Sequence, residues 1–328
     1  MTFSIAPADA RLLLLDKNQV DALLSHDDVL GAVREAFMLH SDREGRVFPV
    51  VREALGTGDV FGIKSGDVQA QGLLGFKAAG FWPANRQRGG EPHQATIMLI
   101  DPATGRPLCV IDGNTVTTVR TGAAGGLGLQ RLARADSARL CIFGTGVQAH
   151  IQLEFALRLI PSLREVLYVG ANGGRNAAFE ARFAGRCSIA PAHDRNAAVA
   201  ESDIVITATP GAGALFELDA VRPGTHLNCV GADTRGKREL PEGLLERARL
   251  FVDDRMQARQ IGETQWAPDT ECVELGDLLS GKAAFERAPQ DITVFDMTGL
   301  ALQDLTVARL LHARAAETQT GTRIAWPW

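Results

Sequence analysis

The apolar positions of this chain follow two different rules. Up to residue 112 they come in short runs cut by Gly, Asp and Pro: VFPVVREAL, DVFGIKSG, LLGFKAAGFWP, QATIMLID and PLCVIDG. Runs of that length between turn residues read as strands, and DPATGRP between the last two is a hairpin signal. A mostly antiparallel sheet is expected over residues 47–112. Ahead of it, an apolar run in ARLLLLDKNQV precedes SHDDVLGAVREAFMLHSD, which reads as a helix. Ser25 or His26 would start that helix, with Asp27 and Asp28 in the first turn facing the positive end of the dipole. Residues 115–134, TVTTVRTGAAGGLGLQRLAR, read as one helix so rich in small residues that something must approach its backbone closely.

From residue 139 strands and helices alternate. RLCIFGTG is a buried strand followed by the helix VQAHIQLEFALRLI. EVLYVG is a second strand, RNAAFEARFAG a helix, and AAVAESDIVITATPG a short helix running into another strand. THLNCVGAD, ARLFVDD and DITVFDMTG are further strands. LALQDLTVARLLHARAAETQTG then reads as a long amphipathic helix. This alternation predicts an α/β architecture with a parallel, doubly wound Rossmann sheet, beside the mixed sheet of the first third.

The first of these strand-to-helix turns carries Gly144-x-Gly146-x-x-Ala149. Gly144 permits the tight turn, Gly146 lets a pyrophosphate approach the backbone at the helix start, and Ala149 keeps the helix close to the sheet. The second strand of such a domain normally ends in an acid that binds the ribose of NAD. Here it ends YVGANGGR, offering Asn172 and Arg175 instead, so NAD(H) and NADP(H) both remain open.

Composition narrows the class. The chain has 328 residues, enough for two domains, and 45% hydrophobic content. Its net charge of −5 argues against a nucleic-acid surface, and no run is long enough for a membrane span. The apolar patch at 10–20 lacks the flanks of a leader peptide. Five scattered cysteines without a CxxC pair make disulfides and a metal site unexpected and a cytoplasmic location the default.

Of the 34 lysines and arginines only five are lysine, at 17, 64, 77, 237 and 282. Lys77 sits in an apolar strand between Phe76 and Ala78. A buried ammonium needs an anion or loses its proton, and a substrate carboxylate would be such an anion. The alternative is an edge-strand lysine snorkelling to water. Arg120 lies among Thr, Gly and Ala and has the fork for a carboxylate, or is simply exposed on its helix. Asp233 follows a strand and a glycine at the edge where doubly wound sheets place ligands, or is a plain turn residue. His93 could donate to substrate or pack in a loop. Glu263 and Trp266 in GETQW are weaker candidates. His26, His40, His150, His193 and His312 read as surface or helix histidines.

Many stretches occur in one order: GFKAAGFWPAN, DPATGRPL, TVRTGAAGG, GTGVQAH, SDIVITAT, HLNCVGADTRGKREL, GETQ and ITVFDMTGLALQDLTVA. In these the chain resembles the ornithine cyclodeaminase/mu-crystallin family over roughly residues 30–323. The resemblance implies a substrate-binding and dimerisation domain over 1–118 plus 299–328, and a Rossmann domain over 119–298. It implies NAD(H) or NADP(H) as cofactor, a small imino or amino acid as substrate, hydride transfer at the α-carbon, and a homodimer. By position, Lys77 matches the family lysine at the substrate and Arg120 the arginine that grips the α-carboxylate. Gly122 departs mildly from the family's RTAA. Asp233 matches the acid facing the substrate amine, and Arg52 a second carboxylate-binding arginine. Thr121, Gly144, Gly146, Val147, Gln148, Asn172, Arg175, Thr209 and Gly231 are the expected cofactor contacts.

Lys64 falls where ornithine-specific members carry a glutamate. A lysine there repels a δ-ammonium and, with His93, suits an acidic side chain. The expectation is reduction of an imino acid such as iminosuccinate to L-aspartate, with Lys77 and Asp233 as catalytic groups. Ornithine cyclodeaminase and a nucleotide-bound ligand-binding protein of the mu-crystallin kind are the alternatives.

Overall fold

The computed structural model describes residues 10–56, 58–171 and 173–327. Two compact units emerge. One is drawn from the chain up to Arg120 and from Leu300 on, the other is Thr121–Gly299. The boundaries fall after Arg120 rather than residue 118 and after Gly299 rather than residue 298, which assigns Arg120 to the first unit.

The first unit is built on a mixed sheet. Its strands are β1 (Arg11–Leu15), β2 (Gly45–Val47), β3 (Val51–Ala54), β4 (Val60–Val68), β5 (Leu73–Phe81), β6 (His93–Ile100) and β7 (Pro107–Asp112), with a last strand at Thr322–Ala325. From one edge the order is the last strand, β1, β7, β6, β5, β4, β2, with β3 also on β4. Only β1 with β7 is a parallel pair among these. VFPVVREAL, read as one run, is broken: β2 ends before Pro49, which cannot donate to a ladder, and β3 begins after it. The last strand was not anticipated, because TRIA is too short to show a period and is exposed throughout.

The helix His26–Ser41 starts as expected, with the Ser25 side chain accepting from the Asp28 amide. The C-terminal helix, Ala301–Glu317, corrects an expectation. It is not amphipathic in its first two turns, because every residue from Ala301 to Ala308 is buried, Gln303 and Asp304 included. It lies against β4, β5 and β6, and strand glycines make the room. A Cβ at Gly75 would stand 2.9 Å from Leu305, and one at Gly45 2.6 Å from Leu302. Glycine there removes the side chain that would hold the helix off the sheet.

Among its described residues the second unit has eight parallel strands: β8 (Arg139–Phe143), β9 (Glu165–Val169), β10 (Ser188–Pro191), β11 (Ile204–Thr207), β12 (His226–Cys229), β13 (Arg249–Val252), β14 (Cys272–Glu274) and β15 (Thr293–Asp296). Their order is β10-β9-β8-β11-β12-β15-β13-β14. Chain order reverses beside β8, the switch point at which such sheets bind ligands. β11, β12 and β15 are buried at every position, as strands covered on both faces should be.

What approaches the small-residue helix, Gly113–Leu132, is now visible. A Cβ at Gly122 would meet Ile151 and Phe155, and one at Gly126 would meet Leu159 and Phe155, all on the helix Val147–Leu159. A Cβ at Gly128 would meet Phe295 of β15. Branched side chains at these glycines would overpack the contact, at about 1–3 kcal/mol each.

Candidate active site

Strand register places four of the expected residues on one face of the first unit's sheet. Lys64 of β4 is paired directly opposite Lys77 of β5. Arg52 of β3 is opposite Gly62, two residues from Lys64, and His93 of β6 is opposite Phe81, four residues from Lys77. Side chains alternate along a strand, so Arg52, Lys64, Lys77 and His93 all leave the same side of the sheet. It is the side on which the C-terminal helix packs.

That helix supplies the anion Lys77 requires. Asp304 Oδ2 lies 2.7 Å from Lys77 Nζ, and Asp304 Oδ1 accepts from Arg120 Nε at 3.1 Å. Arg120 Nη1 donates to Gln303 Oε1 at 3.1 Å. Lys77, Arg120, Gln303 and Asp304 are all buried. Lys77 does not snorkel to water: it is buried, and it has a protein carboxylate as a resident partner. Likewise, Arg120 is not an exposed helical arginine.

Burial pushes the Lys77 ammonium down to about 7, with Arg120 and Lys64 acting in the same direction and Asp304 opposing them. Burial alone would push the Asp304 carboxyl up, but the positive charges of Lys77 and Arg120 outweigh it and hold the group below its ordinary value. Of the six side chains Arg52, Lys64, Lys77, His93, Arg120 and Asp304, only one is a carboxylate.

At the β6 end, His93 Nδ1 is 3.2 Å from Asn114 Oδ1, and the Asn114 amide donates to Glu91 Oε2 and to the His93 carbonyl. Burial, then the charge of Lys77, lowers the His93 pKa and favours its neutral imidazole. Arg52 lies on an exposed strand.

In the second unit the glycine turn has the expected geometry. Gly144 has φ +107°, and a Cβ there would stand 2.6 Å from the Ala208 carbonyl oxygen. At Gly146, the residue that starts the helix Val147–Leu159, a Cβ would meet nothing within 4 Å. The backbone is thus open where a pyrophosphate would approach the helix start, and the residues fit a dinucleotide. Val147 is 62% exposed beside it, Gln148 is half-buried, and Ala149 is fully buried against the sheet. Thr121 is buried, with its carbonyl accepting from Gln152 Nε2 at 2.8 Å.

Arg175 forms an ion pair with Glu180 at 2.7 Å, and Tyr168 donates its hydroxyl hydrogen to the same carboxylate. Asn172 lies outside the described residues. Thr209 and Gly231, after β11 and β12, share one anchor: Glu239 accepts from Thr209 N, Thr209 Oγ1 and Gly231 N at 2.7–2.9 Å. Asp233, on the loop after β12, pairs with Lys237 at 2.7 Å and accepts from Thr234 Oγ1.

The two units together bear the signs of one enzyme family, and the comparison with known proteins decides which. The model of the ornithine cyclodeaminase/mu-crystallin family matches residues 11–319. The chain belongs to that family. Within the family, the Paracoccus denitrificans iminosuccinate reductase is 33% identical over 309 residues, covering 91% of this chain and 95% of the relative. The Archaeoglobus fulgidus alanine dehydrogenase is 32% identical over 326 residues, covering 95% and 98%. The structure of the Paracoccus reductase with NAD+ matches with a TM-score of 0.87 at 29% identity, covering 96% of this chain and 99% of that one. An archaeal alanine dehydrogenase dimer with bound NAD matches with a TM-score of 0.89 at 30% identity, covering 96% and 99%. Membership makes the chain an NAD(P)-dependent oxidoreductase of the ornithine cyclodeaminase/mu-crystallin family.

Three residues of the site escaped the sequence. Asp304 and Gln303 were in view in GLALQDLTVA, and the signal that marks them is a Gln-Asp pair inside an apolar helical stretch. Glu239 was in view in GKREL without a role. His226 was passed over: it is fully buried, with Nδ1 2.9 Å from Thr293 Oγ1 and Nε2 2.9 Å from Asn228 Oδ1, and burial pushes its pKa down to about 3. His40, read as a surface or helix residue, is a buried helix residue.

Proposed function

We propose that the protein reduces an α-imino acid to an L-amino acid, and that its preferred substrate carries a second carboxylate, as iminosuccinate does in giving L-aspartate. The observation that carries this reading is the direct pairing of Lys64 with Lys77 on a face that also bears Arg52 and His93, with Arg120 sharing the Asp304 carboxylate with Lys77. Lys77 and Arg120, with Arg52, bind the α-carboxylate. Lys64 and His93 receive the side-chain carboxylate. A δ-ammonium, as in ornithine, would be repelled by Lys64, so cyclodeamination is the weaker reading.

A reduced nicotinamide supplies the hydride when bound through Gly144, Gly146 and Thr209. Reduction of the C=N bond would leave a nitrogen that must take a proton from the protein. Asp233 holds the nitrogen. Lys77, protonated when the carboxylate is bound, is the donor. Arg175 belongs to the ribose end, where either coenzyme is admitted.

A homodimer in the cytoplasm completes the reading. The face of the sheet opposite Lys64 and Lys77 carries Phe61, Ile63, Leu74, Phe76, Met98 and Ile100, all only half-buried, and a second copy would cover them. The family's archaeal alanine dehydrogenase is described as a dimer, and all five cysteines here are free. The test is NAD(P)H oxidation with oxaloacetate plus ammonia, with pyruvate plus ammonia, and proline formation from ornithine. Preference for oxaloacetate supports the reading. Conversion of ornithine without net NAD(P)H change replaces it with cyclodeamination.

A further inference from the structure

In the turn Glu263–Trp266 of GETQW, the side chains of Glu263, Gln265 and Trp266 bond to backbone and that of Thr264 to a side chain. Thr264 donates its amide and its hydroxyl to Asp296 Oδ2 at 2.8 and 2.7 Å, which anchors the turn to the end of β15. Glu263 accepts from the Glu239 amide at 2.6 Å and from the Leu240 amide at 3.4 Å. Gln265 accepts from the Gly236 amide at 2.7 Å and donates to the Lys237 carbonyl at 3.3 Å and the Gly262 carbonyl at 2.7 Å. Trp266 Nε1 donates to the same Lys237 carbonyl at 2.8 Å. The turn thus grips residues 236–240 at several points in succession.

The gripped segment carries two groups of consequence. Lys237 holds the Asp233 carboxylate at 2.7 Å, and Lys237 is the residue whose carbonyl Gln265 and Trp266 clamp. Glu239 binds Thr209 and Gly231, the strand-end residues expected at the nucleotide. Gly236, at φ +85°, gives the loop its sharp bend, and its amide is spent on Gln265. The loop, exposed at Arg235 and Gly236, is also held by its own Lys237-to-Thr234 turn bond and by the Lys237 ammonium on Asp233 and the Gly231 carbonyl, and past Lys237 the backbone of Arg238 and Glu239 bonds to Gly211, Gly213 and Leu215.

We propose that the Glu263–Trp266 turn is the positioning element for Asp233. Gln265 and Trp266 hold the loop through Lys237, and so act on the nitrogen-handling step without touching substrate or nucleotide. The inference rests on the reading of Asp233 given above. Gln265 is a positioning residue, not a catalytic one, and its effect must pass through Asp233.

The test is a double-mutant cycle with a readout on the unliganded protein. Gln265→Ala should speed hydrogen exchange of the Gly236 amide by about tenfold, the value of one lost hydrogen bond, with NADH affinity from fluorescence titration within about twofold of wild type. It should lower kcat by about tenfold. In Asp233→Asn, adding Gln265→Ala should cost nothing more, because the residue it positions is already disabled. Losses that multiply in the double variant overturn the proposal and leave Asp233 in its role. Faster exchange with wild-type kcat in Gln265→Ala, while Asp233→Asn is impaired, overturns it equally. Wild-type kinetics in Asp233→Asn remove the reading of Asp233 and the proposal with it. If Gln265→Ala fails to fold, Trp266→Phe removes only the indole bond to Lys237 from a side chain that is 47% exposed, and the same cycle is read with it.

Discussion

Asp304 divides its two oxygens between two cations: Oδ2 stands 2.7 Å from Lys77 Nζ and Oδ1 3.1 Å from Arg120 Nε. Neither cation is therefore a bare charge awaiting substrate. The carboxylate keeps two buried positive charges tolerable beside each other, and it leaves the trio with net positive charge when Lys77 is protonated. A bound carboxylate would complete the neutralisation that Asp304 begins.

Asp304→Asn should be costly for both stability and binding. It leaves Arg120 and Lys77 buried without their shared anion, a loss of about 3 kcal/mol by the behaviour of broken buried pairs. Lys77 would then be driven to its neutral form and contribute less to carboxylate binding. Urea denaturation and KM should both move, and a variant with wild-type values in each would show that the pairing carries neither.

Substrate binding should weaken as pH rises above neutrality. Lys77 titrates near 7 in the free protein, and a bound carboxylate favours its protonated form and raises that value. Binding therefore takes up a proton between the two values, and Kd rises with pH there, by at most about tenfold per unit. Calorimetry of oxaloacetate binding in two buffers of different ionisation enthalpy measures the uptake. No uptake above pH 7 would place the carboxylate away from Lys77.

Lys64→Glu should discriminate between substrates. Reversing one charge beside a dicarboxylate should lower kcat/KM by about 30-fold or more, while pyruvate plus ammonia should change by less than about tenfold. Equal losses on both would assign Lys64 to the fold or to the α-carboxylate end.

The second unit should lose stability as pH rises from mildly acidic to about 8. Burial, then repulsion from Asp296, pushes Glu263 up to about 8, and burial pushes Asp296 up to about 7. The folded protein holds protons there that the unfolded chain has released, so the slope of unfolding free energy against pH is negative over that window. Glu263→Gln keeps an acceptor for the Glu239 amide and should flatten the slope. Thermal midpoints across pH for both proteins give the comparison.

Gly146→Arg should abolish nucleotide binding and leave the fold intact. A Cβ at this position meets nothing within 4 Å, and φ is −85°, so the side chain is tolerated by the protein but stands where the pyrophosphate would come. Circular dichroism should match wild type while NADH and NADPH titrations show no binding. Retained binding would move the nucleotide elsewhere.

Much of the protein was written locally. The Gly144–Ala149 turn is legible because a tight turn, an open backbone and a helix start are all properties of adjacent residues. The alternation after residue 139 and the Ser25 cap are legible for the same reason. Lys77 stood out because a lysine in an apolar strand contradicts its surroundings. Asp304 did not, since a carboxylate in a helix ordinarily faces water, and its partner Arg120 is 184 residues away. The pairing of Lys64 with Lys77 depends on the register of β4 against β5, and the grip of Gln265 on Gly236 spans 29 residues. Backbone conformation and periodicity are set by neighbours in sequence, so the sequence alone determined the elements and the glycine turn. Burial and charge pairing depend on which elements become neighbours in space, so only the tertiary structure decided where Lys77 finds its anion and what holds the loop of Asp233.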